Sequence, residues 1–246
     1  MQLPNFPECN HEIIRSLSHH SDQELLNLFK RHPDSGQYFT ALFCRYSPIV
    51  YTLIRHSARS PVQADYLFAL TWRHILHELG GLDLPLAEAD KDTQKAPLTL
   101  QAWLINVTAL CINQAVLPDV ESIHYSFQAA SPPLWCYVER ALDQLSPLQR
   151  LIVLMAQTFS WSETRIAAYL QAEGERMSPV QVRVRLQEAY RVLEAALPDD
   201  IRAIYLEQFA APSAEAPADQ SQDSDDDSWD FAELDLEPTA LVGGDE

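Results

Sequence analysis

Glycine is scarce, with 6 residues in a chain of 246. That scarcity removes most nucleotide-binding loops, which need several glycines so that backbone amides can approach phosphate. No run of eighteen or more uncharged apolar residues occurs, so no membrane span is expected. The opening stretch MQLPNFPECNHEIIRSL lacks a basic start, a continuous apolar core and a small-residue cleavage site, so secretion is not signalled and a cytoplasmic protein is expected. Cysteine is limited to Cys9, Cys44, Cys111 and Cys136, too dispersed for a disulfide framework or a zinc site with paired ligands. Four reduced thiols acting as small hydrophobes are expected. His74 and His77, with Glu78 beside them, share one helical face, but no further ligand stands at a recognisable spacing. Nucleophile elbows and paired catalytic carboxylates in a fixed context are also missing. The expectation is a protein with no cofactor, no metal and no enzymatic activity.

Basic charge is the other shortage. The net charge is −18, and residues 213–246 hold twelve acidic side chains and no basic ones. The body, 1–212, has 23 acidic against 17 basic residues, a net of −6. Non-specific nucleic-acid binding rests on clustered Lys and Arg that displace counterions, so any DNA contact by this body must be local or assisted by a partner.

What the chain does contain is helical pattern almost throughout. Ser21 with Glu24 forms a capping box ahead of Leu25, Leu26, Leu28 and Phe29. A second helix is expected from Gln37 to about Ser57, kinked at Pro48, and a third from Ser60-Pro61 to Gly80-Gly81. Residues 82–97 read as a loop. Thr99 then caps a helix apolar on Trp103, Leu104, Val107, Leu110, Cys111 and Val116. Periodicity is lost over 117–133, which reads as an interdomain linker. Beyond it, helices are expected at 134–145, after Ser146-Pro147, after a Ser160/Glu163 capping box, and after Ser178-Pro179 with Gln181. A short amphipathic piece, IRAIYLEQF, follows Pro198-Asp199. Past Phe209 the composition turns to Ala, Pro, Ser, Gln and Asp, too poor in core residues to fold unaided, so a disordered acidic tail is expected.

The second half, ALDQLSPLQRLIVLMAQTFSWSETRIAAYLQ with VQVRVRLQEAYRVLEAAL, resembles the small extracytoplasmic-function sigma factors of the sigma-70 family. Leu142, Leu145, Pro147, Arg150, Val153, Leu154, Ser162, Ile166, Ala167, Leu170, Val182, Arg185, Leu186 and Ala189 match that family's pattern in order. In the first half, FTALFCRYSPIVYTLIRHSARSPVQADYLFALTWRHILHEL is similar to the segment that holds the polymerase clamp helices, and LQAWLINVTALCINQAV to the helix that melts the −10 element. The resemblance implies an all-α chain. It would comprise an N-terminal extension (1–20), a region 2-like bundle (21–116), a linker (117–133), a region 4-like helix-turn-helix (134–209) and the tail (210–246). It further implies binding of core RNA polymerase through Asp65, Phe68 and Trp72, promoter recognition, and a possible anti-sigma or other regulatory partner.

The resemblance implies promoter contacts on the helix that opens at Ser178. Its core stripe is Val182, Leu186, Ala189, Leu193 and Ala196, with Val180, Val184, Gln187, Arg191 and Glu194 opposite. Arg183 and Arg185 flank the stripe, where they suit phosphates better than bases. Ser178, Gln181, Arg183, Arg185, Gln187 and Arg191 are therefore the candidate DNA contacts. Two departures from the family pattern open a second reading, a sigma-derived adaptor that binds protein without reading promoters. Eleven residues, QAEGERMSPVQ, separate Leu170 from Val182, and Glu188 stands where the family has arginine. In the tail, DSDDDSWDFAELDLEP interleaves Trp229, Phe231, Leu234 and Leu236 with acids, which suits either a solvated tail or a docking peptide.

Overall fold

A computed structural model describes residues 3–84, 99–123, 125–127 and 130–206. Every regular element among them is helical, and no described helix is long and apolar enough to cross a membrane. The expected loop at 82–97 lies mostly, and the acidic tail wholly, outside the described residues. The helices are α1 (Glu12–Ser16), α2 (Asp22–Arg31), α3 (Gln37–Ser57), α4 (Pro61–Leu79), α5 (Leu100–Gln114), α6 (Pro132–Leu142), α7 (Pro147–Gln157), α8 (Glu163–Ala172), α9 (Pro179–Ala196) and α10 (Asp199–Tyr205).

Local chemistry sets most of these boundaries. Ser21, Ser60, Thr99, Ser146 and Ser178 each accept a backbone N–H from the first turn that follows, and full capping boxes form at Ser21/Glu24, Ser146/Gln149 and Ser178/Gln181. One expected cap is displaced. Ser160 adopts a positive φ of 48° and turns the chain, and Ser162 Oγ receives the Arg165 amide as the N-cap of α8. Pro48 lies inside α3 with its ring exposed, and α6 begins at Pro132, two residues before the expected start, because consecutive prolines suit a first turn.

The main core is an aromatic knot. Phe39, Phe43, Phe68 and Trp72 are fully buried, and Phe6 and Phe127 close on Phe68 at 6.0 and 5.6 Å between centroids. This core continues without a break through α6, the C-terminal half of α9 and α10. A smaller cluster joins α7, α8 and the start of α9 through Ile152, Met155, Ile166, Ala167, Leu170 and Val182. Leu186 packs against both.

Two long-range ties fix the first and last described segments. Cys9 and Cys44 are joined as a disulfide, which corrects the expectation of four reduced thiols: a 3-10 turn at Pro7–Asn10 folds back on α3 and brings cysteines 35 positions apart into contact. Cys111 and Cys136 remain free. At α3 the N-cap is Gly36, which has no side chain to offer, and Asp200 supplies the cap from α10. Its carboxylate accepts from Gly36 N at 3.0 Å, Gln37 N at 2.8 Å and Ser35 Oγ at 2.6 Å. The negative charge also suits the positive end of the helix dipole.

Helix α5 differs from its expected pattern. Its buried side chains are Leu100, Leu104 and Thr108, while Leu110 is exposed and Val116, beyond the helix, is 96% exposed. An almost evenly apolar helix has no sequence moment strong enough to reveal its inner face.

Candidate functional site

The expected recognition helix is α9, held by α7 and α8 on its N-terminal half and by α6 on its C-terminal half. Val182 is fully buried against Ile166 and Leu170, and Ala189 and Leu193 are buried in the main core. Leu197, rather than the expected Ala196, completes the stripe, because the chain leaves helical geometry at that residue and turns it inward. The connection from α8 uses the extra residues simply. Helix α8 runs on to Ala172, Gly174 takes φ 93° in open space, and 173–176 are exposed. A non-glycine residue would be strained at Gly174, so the turn depends on it.

The six candidate DNA contacts all lie on exposed positions of this helix or its cap. Ser178 and Gln181 are engaged in the capping box, with Gln181 Oε1 accepting from Ser178 N at 2.8 Å. Arg183 Nε donates to Glu163 Oε1 at 3.2 Å, and Arg185 to Glu188 at 2.9 Å. Glu163 sits in the first turn of α8, where backbone amide contact and then Arg183 hold its carboxyl below the usual range. Both ion pairs are open to solvent, and such pairs contribute about 0–1 kcal/mol. An incoming phosphate can therefore displace either acid at small cost. On the outward face Val180 is 68% and Val184 47% exposed, alongside the exposed Gln187 and Arg191.

The three residues expected to bind polymerase do not form a surface. Phe68 and Trp72 have no exposed area; Trp72 meets the rings of Phe39 and Phe43 at 5.9 and 5.0 Å. Their role here is to hold α3 against α4, and a partner cannot touch them in this conformation. Asp65 is half-buried and accepts from Tyr51 Oη at 2.9 Å. Burial raises its carboxyl pKa, and the Tyr51 phenol is pushed up to about 12, by burial first and then by the Asp65 contact.

Two further features have no local sequence signature. Phe159, Trp161 and Tyr169 form an outward aromatic cluster, with Arg165 stacked on Trp161 at 4.3 Å. The larger one is a cavity of about 860 Å³ among α2, α4, α6 and α7, whose cations Lys30, Arg73, Arg140 and Arg150 come one from each helix. No spacing rule links residues so far apart in the chain. His74 and His77 line the same cavity, and no group of three potential metal ligands occurs among the described residues.

No protein-family model matches the chain, and neither a curated protein nor a solved structure matches it.

Proposed function

We propose that the chain is a divergent sigma-factor-like protein of transcription initiation, binding core RNA polymerase through its N-terminal helices and promoter DNA through α9. The observation that carries this reading is the arrangement of α7, α8 and α9. The connection over 173–178 delivers α9 with Val182 sealed in the core, Arg183 and Arg185 exposed on the flanks of the core stripe, and Gln187 and Arg191 exposed on the opposite face. A helix held in this way presents side chains to a major groove while the preceding helix lies toward the backbone. The finer organisation follows the resemblance: a region 2-like unit over 21–116 and a region 4-like unit over 134–209, in a cytoplasmic, non-enzymatic protein without cofactor. With Phe68 and Trp72 internal, Asp65 and the exposed parts of α3 and α4 around it are the surface left for polymerase. An anti-sigma or other regulatory protein is a further partner consistent with this class.

A second reading is favoured by a specific observation, the valines at 180 and 184. Base edges are read by polar side chains, each good bidentate pair supplying about 1–3 kcal/mol of discrimination, and valines contribute none of that. Exposed valines flanked by ion-paired arginines suit a protein surface instead, as expected of a sigma-derived adaptor. Purified full-length protein mixed with sigma-free core polymerase separates the two. Co-elution with core and discrete transcripts from a genomic template are expected for the initiation factor. Co-elution without transcripts establishes the adaptor, and no co-elution overturns both.

A further inference from the structure

We infer that the cavity among α2, α4, α6 and α7 is a docking groove for an acidic, aromatic-bearing peptide, and that its occupant is residues 223–238 of this same chain. The inference goes beyond the transcription reading and does not depend on it, because it rests on the groove's own residues.

The groove is basic in an acidic protein. Lys30, Arg73, Arg140 and Arg150 line it against Glu139 and Asp143, with His74 and His77 beside them, whereas the body as a whole has a net charge of −6. Three of the cations are already directed by a carboxylate: Lys30 by Asp83 at 2.7 Å, Arg73 by Glu139 at 2.7 Å and Arg150 by Asp143 at 3.4 Å. Arg140 lies over the Tyr137 ring instead. The walls between the charges are apolar, formed by Phe29, Leu70, Leu76, Trp135, Leu142 and Leu154. A ligand that fits must bring carboxylates and hydrophobic side chains together at close spacing. DSDDDSWDFAELDLEP does so, with eight acids around Trp229, Phe231, Leu234 and Leu236.

Chain geometry allows the contact in cis. Helix α10 starts beside Arg140 and Asp143, which share a cleft with Pro198 and Asp199. It ends where Tyr205 meets Ser131, so the last described residue, Leu206, leaves from the opposite end of α6. That end is roughly 16 Å from the groove, one length of α6. The residues from 206 to 223 can span up to about 55 Å. A tether of this kind gives an effective concentration near ~1 mM, so a weak groove is occupied by its own tail. Ion pairing in the groove makes the contact sensitive to salt.

Zero-length carbodiimide cross-linking of the full chain tests this, because the three lysines are Lys30, Lys91 and Lys95, and Lys30 is the one among the described residues, where it lines the groove. The Asp83→Asn background removes the resident carboxylate from Lys30. The expected product is monomeric protein with Lys30 joined to a carboxylate between 223 and 237, its yield falling about tenfold from 0.05 to 0.5 M salt. Arg140→Glu, at an exposed site, should reduce the yield similarly. The triple change D225N, D226N and D227N, which leaves the helical body untouched, should do so even if Arg140→Glu compromises folding. Tail links confined to Lys91 and Lys95, Lys30–tail links found only in dimers, absence of any link, or a yield indifferent to salt and to the triple change would each overturn the inference.

Discussion

Phe68 and Trp72 illustrate how a side chain can matter without touching a partner. Both are sealed in the aromatic knot between α3 and α4, and truncation there leaves a cavity. Phe68→Ala or Trp72→Ala should each cost about 3–5 kcal/mol in denaturant unfolding, and any loss of partner binding should track the loss of folded protein. Trp72→Phe should cost clearly less, since the Trp72 Nε1 proton has no partner among the described residues. Glu8 gives a pH-dependent counterpart. It is 3% exposed, next to Tyr205, whose hydroxyl donates to it at 3.3 Å, and burial raises its carboxyl pKa despite contacts with Ser131 and Tyr205 that lower it. A raised folded-state value means that its contribution is most favourable below the unfolded value of 4.5 and is lost as pH rises through the folded value. Glu8→Gln should therefore melt higher than wild type at pH 7, with the gain shrinking toward pH 4.5 in paired thermal scans. A gain that is independent of pH would rule out ionisation as the cause.

At the level of the helix, the join between α3 and α10 is the most exposed to a single change. A Cβ on Gly36 would stand 2.3 Å from Ile201 Cγ1 and 2.9 Å from Tyr137 Cε2, so Gly36→Ala should destabilise by about 1–3 kcal/mol although its φ of −90° suits alanine. Asp200→Ala removes the borrowed cap and should cost about 1–2 kcal/mol, with Asp200→Asn retaining part of it. The double variant should be non-additive, because the two residues share one contact, and chemical denaturation of all four proteins measures that coupling. This join also marks what the sequence could not reveal. N-caps at Ser21, Ser146 and Ser178 were legible because cap and amide lie within four residues, whereas a cap supplied from 163 positions away has no local pattern. Ser160 and Ser162 show the same limit on a smaller span: both precede suitable residues, and only the positive φ at Ser160 decides between them. In the candidate site, the buried stripe of α9 followed from its period at Val182, Ala189 and Leu193 but not at Ala196, and the ion pairing of Arg183 with Glu163 depends on how α8 crosses α9.

In the whole molecule, the first and last described segments are tied to α3. The Cys9–Cys44 bridge holds the N-terminal segment, and with it Phe6, against α3. Cross-links closing loops of this size contribute about 4 kcal/mol, so Cys9→Ser should lower the unfolding midpoint in oxidising buffer and lack the difference between oxidised and reduced forms that wild type shows. The sequence spacing of the cysteines gave no hint of this pairing, because it arises from the fold-back of a segment that lacks a long helix of its own. The cores were readable from helical periodicity within most of the long helices, but not in α5, whose apolar residues surround the helix, nor at Phe6, Ile123, Tyr125 and Phe127, which join the main core from the expected extension and linker. The proposed function rests on α9, and promoter-directed transcription by sigma-free core polymerase, with wild-type protein beside the triple variant R183A, R185A and R191A, is the decisive measurement. The sigma-factor-like reading predicts discrete transcripts with wild type and their loss with a triple variant that still binds core. Core binding without transcripts from wild type, or transcripts unaffected by the triple change, would contradict promoter recognition by α9.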